Sequence, residues 1–217
     1  MDWNERFSRE EFHFGEAPAA FVRDHLGGLG AGAHVLTIAE GEGRNAVWLA
    51  RQGCRVTAIE PTGTGREKAM ALAARHGVTM EWRQESLESY GWPSNGFDVV
   101  LGCFFQFADP RLRAEILAGM ARTTMPGGTV FLHGFSTRQL GNGSGGPRSE
   151  PNLWTPDRLL PAFPGWQVVR AEDYDAARRY WARALALTPE GASYRDEIAT
   201  RLALLDRLLA MPGGMPR

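Results

Sequence analysis

The segment VLTIAEGEGRNA, residues 35–46, combines three features that occur together in nucleotide-binding folds. An apolar run leads to Glu40, two glycines follow at Gly41 and Gly43, and residues with helical spacing come next. Gly41 allows a sharp turn, and we expect Gly43 to lack a Cβ where a ligand would approach the backbone. The free N–H groups at the start of the next helix would then face that ligand. The segment predicts a nucleotide site but leaves the nucleotide open.

Short apolar runs recur along the chain and predict β-strands. They are HVLTIA (34–39), CRVTAIE (54–60), VTMEWR (78–83), FDVVLGCFF (97–105), GTVFLHGF (128–135) and WQVV (166–169). Segments with helical spacing lie between them, at residues 44–52, 65–76 and 111–124. This alternation predicts βαβ crossovers. The fold class is therefore α/β, with an open, mostly parallel, doubly wound (Rossmann-like) sheet and helices on both faces.

The amino-acid composition limits which classes of partner the protein is expected to bind and in which compartment it is expected to work. The formal net charge is −1, so no overall field would attract nucleic acid or an anionic membrane. No stretch reaches the roughly 18 apolar residues of a membrane span, and residues 1–16 lack the apolar core of a signal peptide. Two cysteines cannot form a disulfide framework. We expect a cytoplasmic protein with no nucleic-acid partner and no membrane partner.

An acidic residue follows the second predicted strand. Glu60 stands at the separation from the glycine turn where a carboxylate accepts hydrogen bonds from ribose hydroxyls. The pattern Gly41-x-Gly43-x-x-Ala46 also fits the relaxed dinucleotide fingerprint. At this point a nicotinamide dinucleotide and another adenosine ligand both remain open.

Other side chains at the carboxyl ends of the predicted strands are few. Cys103, Phe104 and Phe105 follow the fourth strand and could frame a reacting group and its acceptor. His133 ends the fifth strand and is either a base, an acceptor-binding group or a hydrogen-bonded structural histidine. The chain has no clustered ligands that predict a metal site and no turn typical of a serine nucleophile.

A family resemblance rests on four sequence motifs that occur in a fixed order: VLTIAEGEGRNAVWLA (35–50), VTAIE (56–60), FDVVL (97–101) and MPGGTVFL (125–132). Together they resemble class I S-adenosylmethionine-dependent methyltransferases. The branch that looks closest is the small methyltransferases related to tellurite-resistance proteins. That branch carries an N-terminal segment like WNERF (3–7) with Phe14-Gly15, and a loop like Gln139-Leu140 with Gly145-Gly146-Pro147. The resemblance covers residues 3–172.

The resemblance implies a methyl transfer from S-adenosyl-L-methionine to a small-molecule acceptor, with S-adenosyl-L-homocysteine as product. A soft nucleophile, such as a thiol or a selenium or tellurium species, needs little or no base, and the protein mainly aligns the reactants. The implied cofactor contacts are Ala39, Glu40, Gly41, Gly43, Asn45, Glu60, Pro61, Ser86, Leu87 and Cys103. The expected acceptor contacts are Phe14, Phe104, Phe105 and Gln139.

Three positions depart from the family pattern. The family commonly has an acid where this chain has Thr37, a small residue or cysteine where it has Glu40, and an adenine-binding Asp near the position of Ser86. These departures favour an alternative, a non-enzymatic descendant that binds cofactor weakly or not at all and engages a protein partner. An NAD-dependent oxidoreductase is a minor alternative, because the chain shows no second mononucleotide-binding half.

The C-terminal part of the chain does not resemble the family. We therefore predict a methyltransferase-like domain at 1–172 and a helical extension at 173–217, which replaces the seventh strand. Four residues at 177–189 are weakly similar in spacing to a tetratricopeptide half-repeat. The apolar stripe at 198–209 predicts a helical hairpin that packs on the sheet or forms a homodimer or partner contact through residues 173–211. The Gly-rich loop at 136–153 is either functional or a connector.

Overall fold

The computed structural model describes residues 2–140 and 146–173, which hold a five-stranded sheet with all neighbours parallel. The strands are β1 (His34–Ile38), β2 (Arg55–Ile59), β3 (Glu81–Arg83), β4 (Phe97–Cys103) and β5 (Thr124–His133). Their order across the sheet is β3-β2-β1-β4-β5. The chain therefore leaves β1 in one direction toward β2 and returns on its other side with β4. Ligands of open α/β sheets bind at such a reversal, beyond the carboxyl ends of the strands.

Helices connect the strands and precede the sheet. They are α1 (Trp3–Phe7), α2 (Ala20–Leu26), α3 (Arg44–Arg51), α4 (Gly63–Arg75), α5 (Pro110–Thr123) and α6 (Pro156–Leu159), with short 3-10 helices at Thr137–Gln139, Glu150–Asn152 and Leu160–Ala162. The start of α5 follows the expected capping chemistry: Asp109 Oδ1 accepts a hydrogen bond from Leu112 N at 2.8 Å, and Pro110 occupies the first turn. The predicted α/β fold is confirmed.

Both faces of the central strands β1 and β4 are buried, as continuous apolar strands predict. Val35 of β1 packs in one core cluster, with residues of α2 and α3, whereas its neighbour Leu36 packs in the other, with residues of α5. Val99 and Val100 of β4 divide in the same way. Alternate side chains point to opposite faces of a strand, so β1 and β4 each contribute to two cores.

The predicted sixth strand at 166–169 is wrong. These residues form no strand, and Val169 is 85% exposed. A turn at Gly165, with φ of 78°, precedes them, and the Trp166 ring packs edge-on against Phe163 at 5.4 Å. A four-residue apolar run is too short to distinguish a strand from a loop that only partly covers one aromatic ring. Within the described residues, β5 has no neighbour on its outer edge.

By its internal contacts the chain divides into two units. The first holds the described residues 2–137 and 146–167, which include the whole sheet. The described part of the second holds residues 138–140 and 168–173, where Arg138 Nε lies 3.2 Å from Asp173 Oδ2. The predicted domain boundary at 172/173 stays a prediction, and the helices expected at 174–211 lie outside the described residues. No helix within the described part of the chain is both long and apolar enough to cross a membrane.

Candidate functional site

The loop after β1 is shaped by residues with left-handed backbone conformations. Ala39, Gly41 and Gly43 have φ values of 50°, 66° and 86°, and Phe104, at the end of the adjacent β4, has φ of 57°. Only glycine enters this region freely, so Ala39 and Phe104 each cost about 1–3 kcal/mol. Strained non-glycine residues concentrate at functional sites. Their position on neighbouring strand ends supports a site at this edge of the sheet.

The glycines of this loop serve internal packing, which corrects the expectation for Gly43. A Cβ on Gly43 would lie 2.4 Å from Ala69 Cβ on α4, so its missing side chain admits that helix rather than a ligand. A Cβ on Gly41 would lie 3.2 Å from Phe7 Cζ. On α4, a Cβ on Gly65 would lie 2.6 Å from Gly41 O. The loop is therefore enclosed by α4 and by the Phe7 ring of α1.

Glu60 lies beside the glycine turn, as the sequence predicts, and it also fixes that turn. Its Oε2 accepts a hydrogen bond from Gly41 N at 3.0 Å, and its Oε1 accepts from Thr62 N at 3.1 Å and Thr62 Oγ1 at 2.8 Å. A carboxylate has about four acceptor positions, so one remains, on Oε2. The next residue, Pro61, is exposed.

Glu40 caps the start of α3 from inside the protein. Its Oε1 accepts hydrogen bonds from Asn45 N at 2.9 Å and Ala46 N at 2.8 Å. Burial raises the pKa of the Glu40 carboxyl to about 7, against the opposing effect of these N–H groups, of the Thr37 hydroxyl and of Arg44. The Asn45 side chain holds the protein together rather than facing a ligand, because its Oδ1 accepts from Ala19 N at 2.9 Å.

The predicted adenine contacts follow β3 but are engaged locally. The hydroxyls of Ser86 and Ser89 lie 3.2 Å apart, and Ser86 Oγ accepts a hydrogen bond from Ser89 N at 3.3 Å. The Leu87 side chain packs in the same core cluster as Ile59, and Leu87 O accepts from Trp92 Nε1 at 3.3 Å. Ser86 therefore closes a turn, and Leu87 is a core residue by its side chain.

The residues at the end of β4 differ in exposure: Phe105 is buried, whereas Cys103 is half-buried. Phe105 has no exposed surface and packs against Trp154 with ring centroids 4.6 Å apart, so we withdraw it as an acceptor contact. Cys103 is half-buried, and burial, reinforced by the Glu40 carboxylate, raises the pKa of its thiol well above the usual range. Cys103 is therefore a neutral thiol at neutral pH.

Aromatic rings surround His133 at the end of β5. The Phe21 ring of α2 stacks on the imidazole at 4.6 Å with an interplanar angle of 3°, and Phe104 meets it edge-on at 4.8 Å. The Phe104 ring also lies 5.0 Å from Phe135. The structure thus brings Phe104 and His133 together, as the sequence predicts, and adds Phe21 and Phe135. Phe21 was missed because it belongs to a helix with no motif.

His133 is a weak base in this setting. Burial lowers the pKa of its imidazole to about 4, and the positive charges of His25 and Arg44 act in the same direction. The ring is therefore neutral at pH 7. A general base works best when its pKa lies near the working pH, so the structure gives little support to His133 as a base.

The N-terminal segment is attached to the glycine loop by residues that the motif search did not single out. Buried Glu42 lies between the two glycines; its Oε1 is 2.7 Å from Lys68 Nζ, and its Oε2 accepts from His13 N at 2.8 Å. Arg44 donates to Phe14 O at 2.8 Å, and its guanidinium lies 5.3 Å from the centre of the half-exposed Phe14 ring. Phe14 is therefore held beside the loop.

Gln139 belongs to the second unit, at the end of the 3-10 helix Thr137–Gln139, so its contact with the site stays a prediction. Another glutamine, missed from the sequence, braces the site. Gln106 Oε1 accepts from Phe135 N at 2.7 Å and its Nε2 donates to Phe135 O at 2.7 Å, while Gln106 O accepts from Asn152 Nδ2 at 3.0 Å. This clamp fixes the segment after β4 against the segment after β5.

Comparisons with known proteins agree with this geometry. The family described as "Methyltransferase domain" matches residues 35–128, from the start of the glycine-loop strand into β5. The match covers less than half of the chain's 217 residues. The matched segment contains the glycine loop, Glu60 and the end of β4, which are the residues that the fold brings together.

Relatives with curated names match this chain over part of their length. An uncharacterised protein of Mycobacterium tuberculosis is 28% identical over 131 residues, which are 57% of this chain and 47% of that protein. Ubiquinone biosynthesis O-methyltransferase of Sodalis glossinidius is 29% identical over 112 residues, 52% of this chain and 45% of that protein. The chain spans less than half the length of these relatives.

Solved structures share the fold of this chain. The [4+2]-cyclase SpnF has a TM-score of 0.59 at 17% identity and covers 87% of this chain and 73% of its own. A TehB-like S-adenosylmethionine-dependent methyltransferase of Corynebacterium glutamicum has a TM-score of 0.50 at 19% identity, over 66% and 68%. At these identities the likeness supports the fold alone.

Proposed function

We propose that the protein is a methyltransferase that uses S-adenosyl-L-methionine to methylate a small-molecule acceptor. The observation that carries the proposal is the joining of Glu60 to the glycine turn: the carboxylate accepts from Gly41 N and keeps one acceptor position on the same oxygen. A ribose hydroxyl is a suitable donor for that position. The residues therefore fit an adenosine ligand at the reversal of strand order between β1 and β4.

The protein's own part is to bind and orient. When bound, S-adenosyl-L-methionine supplies a methyl group on a sulfonium, which is already a good leaving group. Glu60 would hold the ribose, and Ala39 and Gly41 would form the floor beneath the ligand. Phe104 and Phe14 would exclude water from the side where the acceptor binds. Aligning the acceptor with the methyl group is the main way in which the protein would accelerate the transfer.

The acceptor that best fits this site is a soft nucleophile. His133 is a weak base because its pKa is about 4, and burial keeps the Cys103 thiol protonated. A hydroxyl acceptor would need a stronger base to remove its proton. A thiolate, or a reduced selenium or tellurium species, is already anionic at neutral pH. The aromatic rings around His133 favour sulfur-bearing ligands, which pack well on ring edges.

Calorimetric titration with a panel of ligands tests the proposal. We expect S-adenosylhomocysteine and S-adenosylmethionine to bind, and NAD to bind at least 100-fold more weakly. Tight binding of NAD alone would support the oxidoreductase alternative instead. With binding established, radiolabelled methyl transfer to a small thiol and to a catechol would separate the acceptor classes, and we expect transfer to the thiol.

A second candidate function is a non-enzymatic protein that has kept the methyltransferase fold. The observation in its favour is that three of the four acceptor positions of Glu60 serve Gly41 and Thr62, while Phe7 covers Gly41. Such a protein would engage a partner or a second copy through residues 173–211. Truncation after Asp173, followed by light scattering and thermal melting, tests this contact. We expect a change in mass or solubility; an unchanged monomer that melts like the full chain would refute it.

A further inference from the structure

Arg44, the first residue of α3, carries a half-buried guanidinium that uses few of its donors. A guanidinium has five N–H donors and no acceptor. Among the described residues Arg44 makes one side-chain hydrogen bond, from Nη1 to Phe14 O at 2.8 Å, and its Cζ lies 5.3 Å from the centre of the Phe14 ring. Most of the N–H donors of Arg44 therefore have no acceptor in the described part of the chain.

The charge of Arg44 has no close counterion. None of the ion pairs within residues 2–140 and 146–173 includes Arg44. The acids of the glycine loop are engaged elsewhere, since Glu42 pairs with Lys68 at 2.7 Å and Glu40 accepts from the N–H groups at the start of α3. Burial lowers the pKa of the Arg44 guanidinium, and the longer-range attraction of these acids only partly opposes this effect. A partly buried cation in this position would gain from an anionic ligand.

Arg44 lies on the face of the sheet where the acceptor is proposed to bind. Helices α2 and α3 pack in one core cluster, and Phe21 of α2 and Cys103 of β4 pack against the same cluster. The Phe21 ring stacks on His133 at the end of β5. In agreement with this placement, the charge of Arg44 acts on both the Cys103 thiol and the His133 imidazole. Arg44 is therefore near both Phe14 and the ends of β4 and β5.

The residues at the ends of β4 and β5 offer a ligand apolar surface and no charge. The rings of Phe21, Phe104 and Phe135 are half-buried, and they surround an imidazole that is neutral at pH 7. The Cys103 thiol is neutral as well. A molecule on these rings has the Arg44 guanidinium as its nearby permanent charge. The planar fork of a guanidinium matches a carboxylate through two parallel hydrogen bonds.

We propose that Arg44 is a specificity-determining residue that binds a carboxylate of the methyl acceptor, whose apolar body rests on the rings of Phe21, Phe104 and Phe135. The inference rests on the proposed function and names its substrate class, a small apolar molecule with a carboxylate remote from the atom that is methylated. The carboxylate supplies the counterion and the acceptors that Arg44 lacks.

The test uses the full chain saturated with S-adenosylhomocysteine and two probes that resemble methylated products. The probes are 4-(methylthio)benzoate and 4-(methylthio)benzyl alcohol, which share the ring and the thioether and differ in the carboxylate. Their sulfur is already methylated, so it does not ionise. By calorimetric titration we expect the wild type to bind the benzoate about 10- to 100-fold more tightly than the alcohol, the range for a hydrogen bond between charged groups.

Three variants separate charge from structure. Arg44→Met should lose the preference for the benzoate and bind the alcohol as the wild type does. Arg44→Lys should keep a reduced preference, because an ammonium retains the charge but not the fork. Arg51→Met is the matched control, since Arg51 is an exposed arginine at the other end of α3, and it should bind both probes as the wild type does. All three variants should keep wild-type affinity for S-adenosylhomocysteine.

Each contrary outcome overturns the inference in a recognisable way. If the wild type binds the two probes equally, or binds neither, the acceptor class is wrong and the proposed function still stands. A preference that persists in Arg44→Met would place the carboxylate on another residue. An equal loss of both probes in Arg44→Met would show a structural role, and a loss of S-adenosylhomocysteine would assign Arg44 to the cofactor. If the wild type does not bind S-adenosylhomocysteine, the proposed function and the inference both fail.

Discussion

The two halves of the site are built in different ways. Around the glycine loop, buried carboxylates bond to the backbone: Glu40 to the start of α3, Glu42 to the N-terminal segment and Glu60 to Gly41. At the ends of β4 and β5, rings pack on one another around a neutral His133. Directional hydrogen bonds fix one geometry, whereas ring contacts tolerate substitution. We infer that the first half suits a ligand held in one geometry, and that the second half tolerates a range of acceptor shapes.

The largest effect should come from filling the space at Gly43. Gly43→Val places a side chain 2.4 Å from Ala69 Cβ at a residue with φ of 86°. Overpacking and left-handed strain together should lower the free energy of unfolding by about 3–5 kcal/mol. Urea denaturation measures this change.

Gly77→Ala is the control for backbone strain alone. Gly77 has φ of 64°, and nothing lies within 4 Å of its Cβ position. We expect a loss of only about 1–2 kcal/mol. Similar losses in the two variants would show that the contact with α4 does not matter, and that Gly43 could after all face a ligand.

The next effect comes from the ion pair that holds the N-terminal segment. Lys68→Met leaves Glu42 without its cation, and the Glu42 side chain is only 2% exposed. Breaking a buried pair on one side should cost about 2–4 kcal/mol, and the segment should become sensitive to protease. Arg111→Met, in the exposed pair with Glu115, is the control and should change stability by at most about 0.5 kcal/mol. A loss no larger in Lys68→Met than in the control would contradict the assigned attachment.

A smaller effect, of opposite sign in the two halves, should appear in the pH dependence of stability. Burial lowers the pKa of His133 from 6.5 to about 4. The contribution of His133 to the free energy of unfolding is therefore fully present above pH 6.5 and is lost as the pH falls toward 4. Burial raises the pKa of Glu40 from 4.5 to about 7. The contribution of Glu40 to the free energy of unfolding is therefore fully present below pH 4.5 and is lost as the pH rises through 7.

Between pH 4.5 and 6.5, stability should therefore change with pH in opposite directions in two variants. As the pH rises, the free energy of unfolding of His133→Gln should fall relative to wild type, and that of Glu40→Gln should rise relative to wild type. Each difference should change by at most about 1.4 kcal/mol per pH unit. Thermal melts across this range provide the measurement. Slopes of the same sign in both variants would show that the two halves do not differ in this way.

The sequence predicts the sheet well because its signals are local and repeated. Alternating apolar runs and helical spacing identify five strands and α3, α4 and α5 to within a few residues. The error at 166–169 arises because four apolar residues do not distinguish a strand from a loop. The position of Glu60 at the turn also followed from motif spacing.

The side-chain roles depend on contacts between distant residues, and the sequence does not carry them. Gly43 reads as a ligand-facing glycine until Ala69, 26 residues later, is known to pack on it. From the sequence, Glu42 is only a residue between two glycines; the structure shows Lys68 and His13 beside it. Phe105 cannot be told from Phe104 without the backbone turn that buries one ring and leaves the other at the site.

The measurement that tests the central claim most directly is the affinity of Glu60→Gln for S-adenosylhomocysteine, compared with wild type and with Thr62→Val. Thr62→Val removes one hydrogen bond to the same carboxylate and leaves its charge in place. The account predicts that Glu60→Gln weakens binding by about 10- to 100-fold, since a charged hydrogen bond is lost, while Thr62→Val keeps wild-type affinity. If Glu60→Gln binds S-adenosylhomocysteine as tightly as wild type, the adenosine does not lie on Glu60, and the proposed site is wrong.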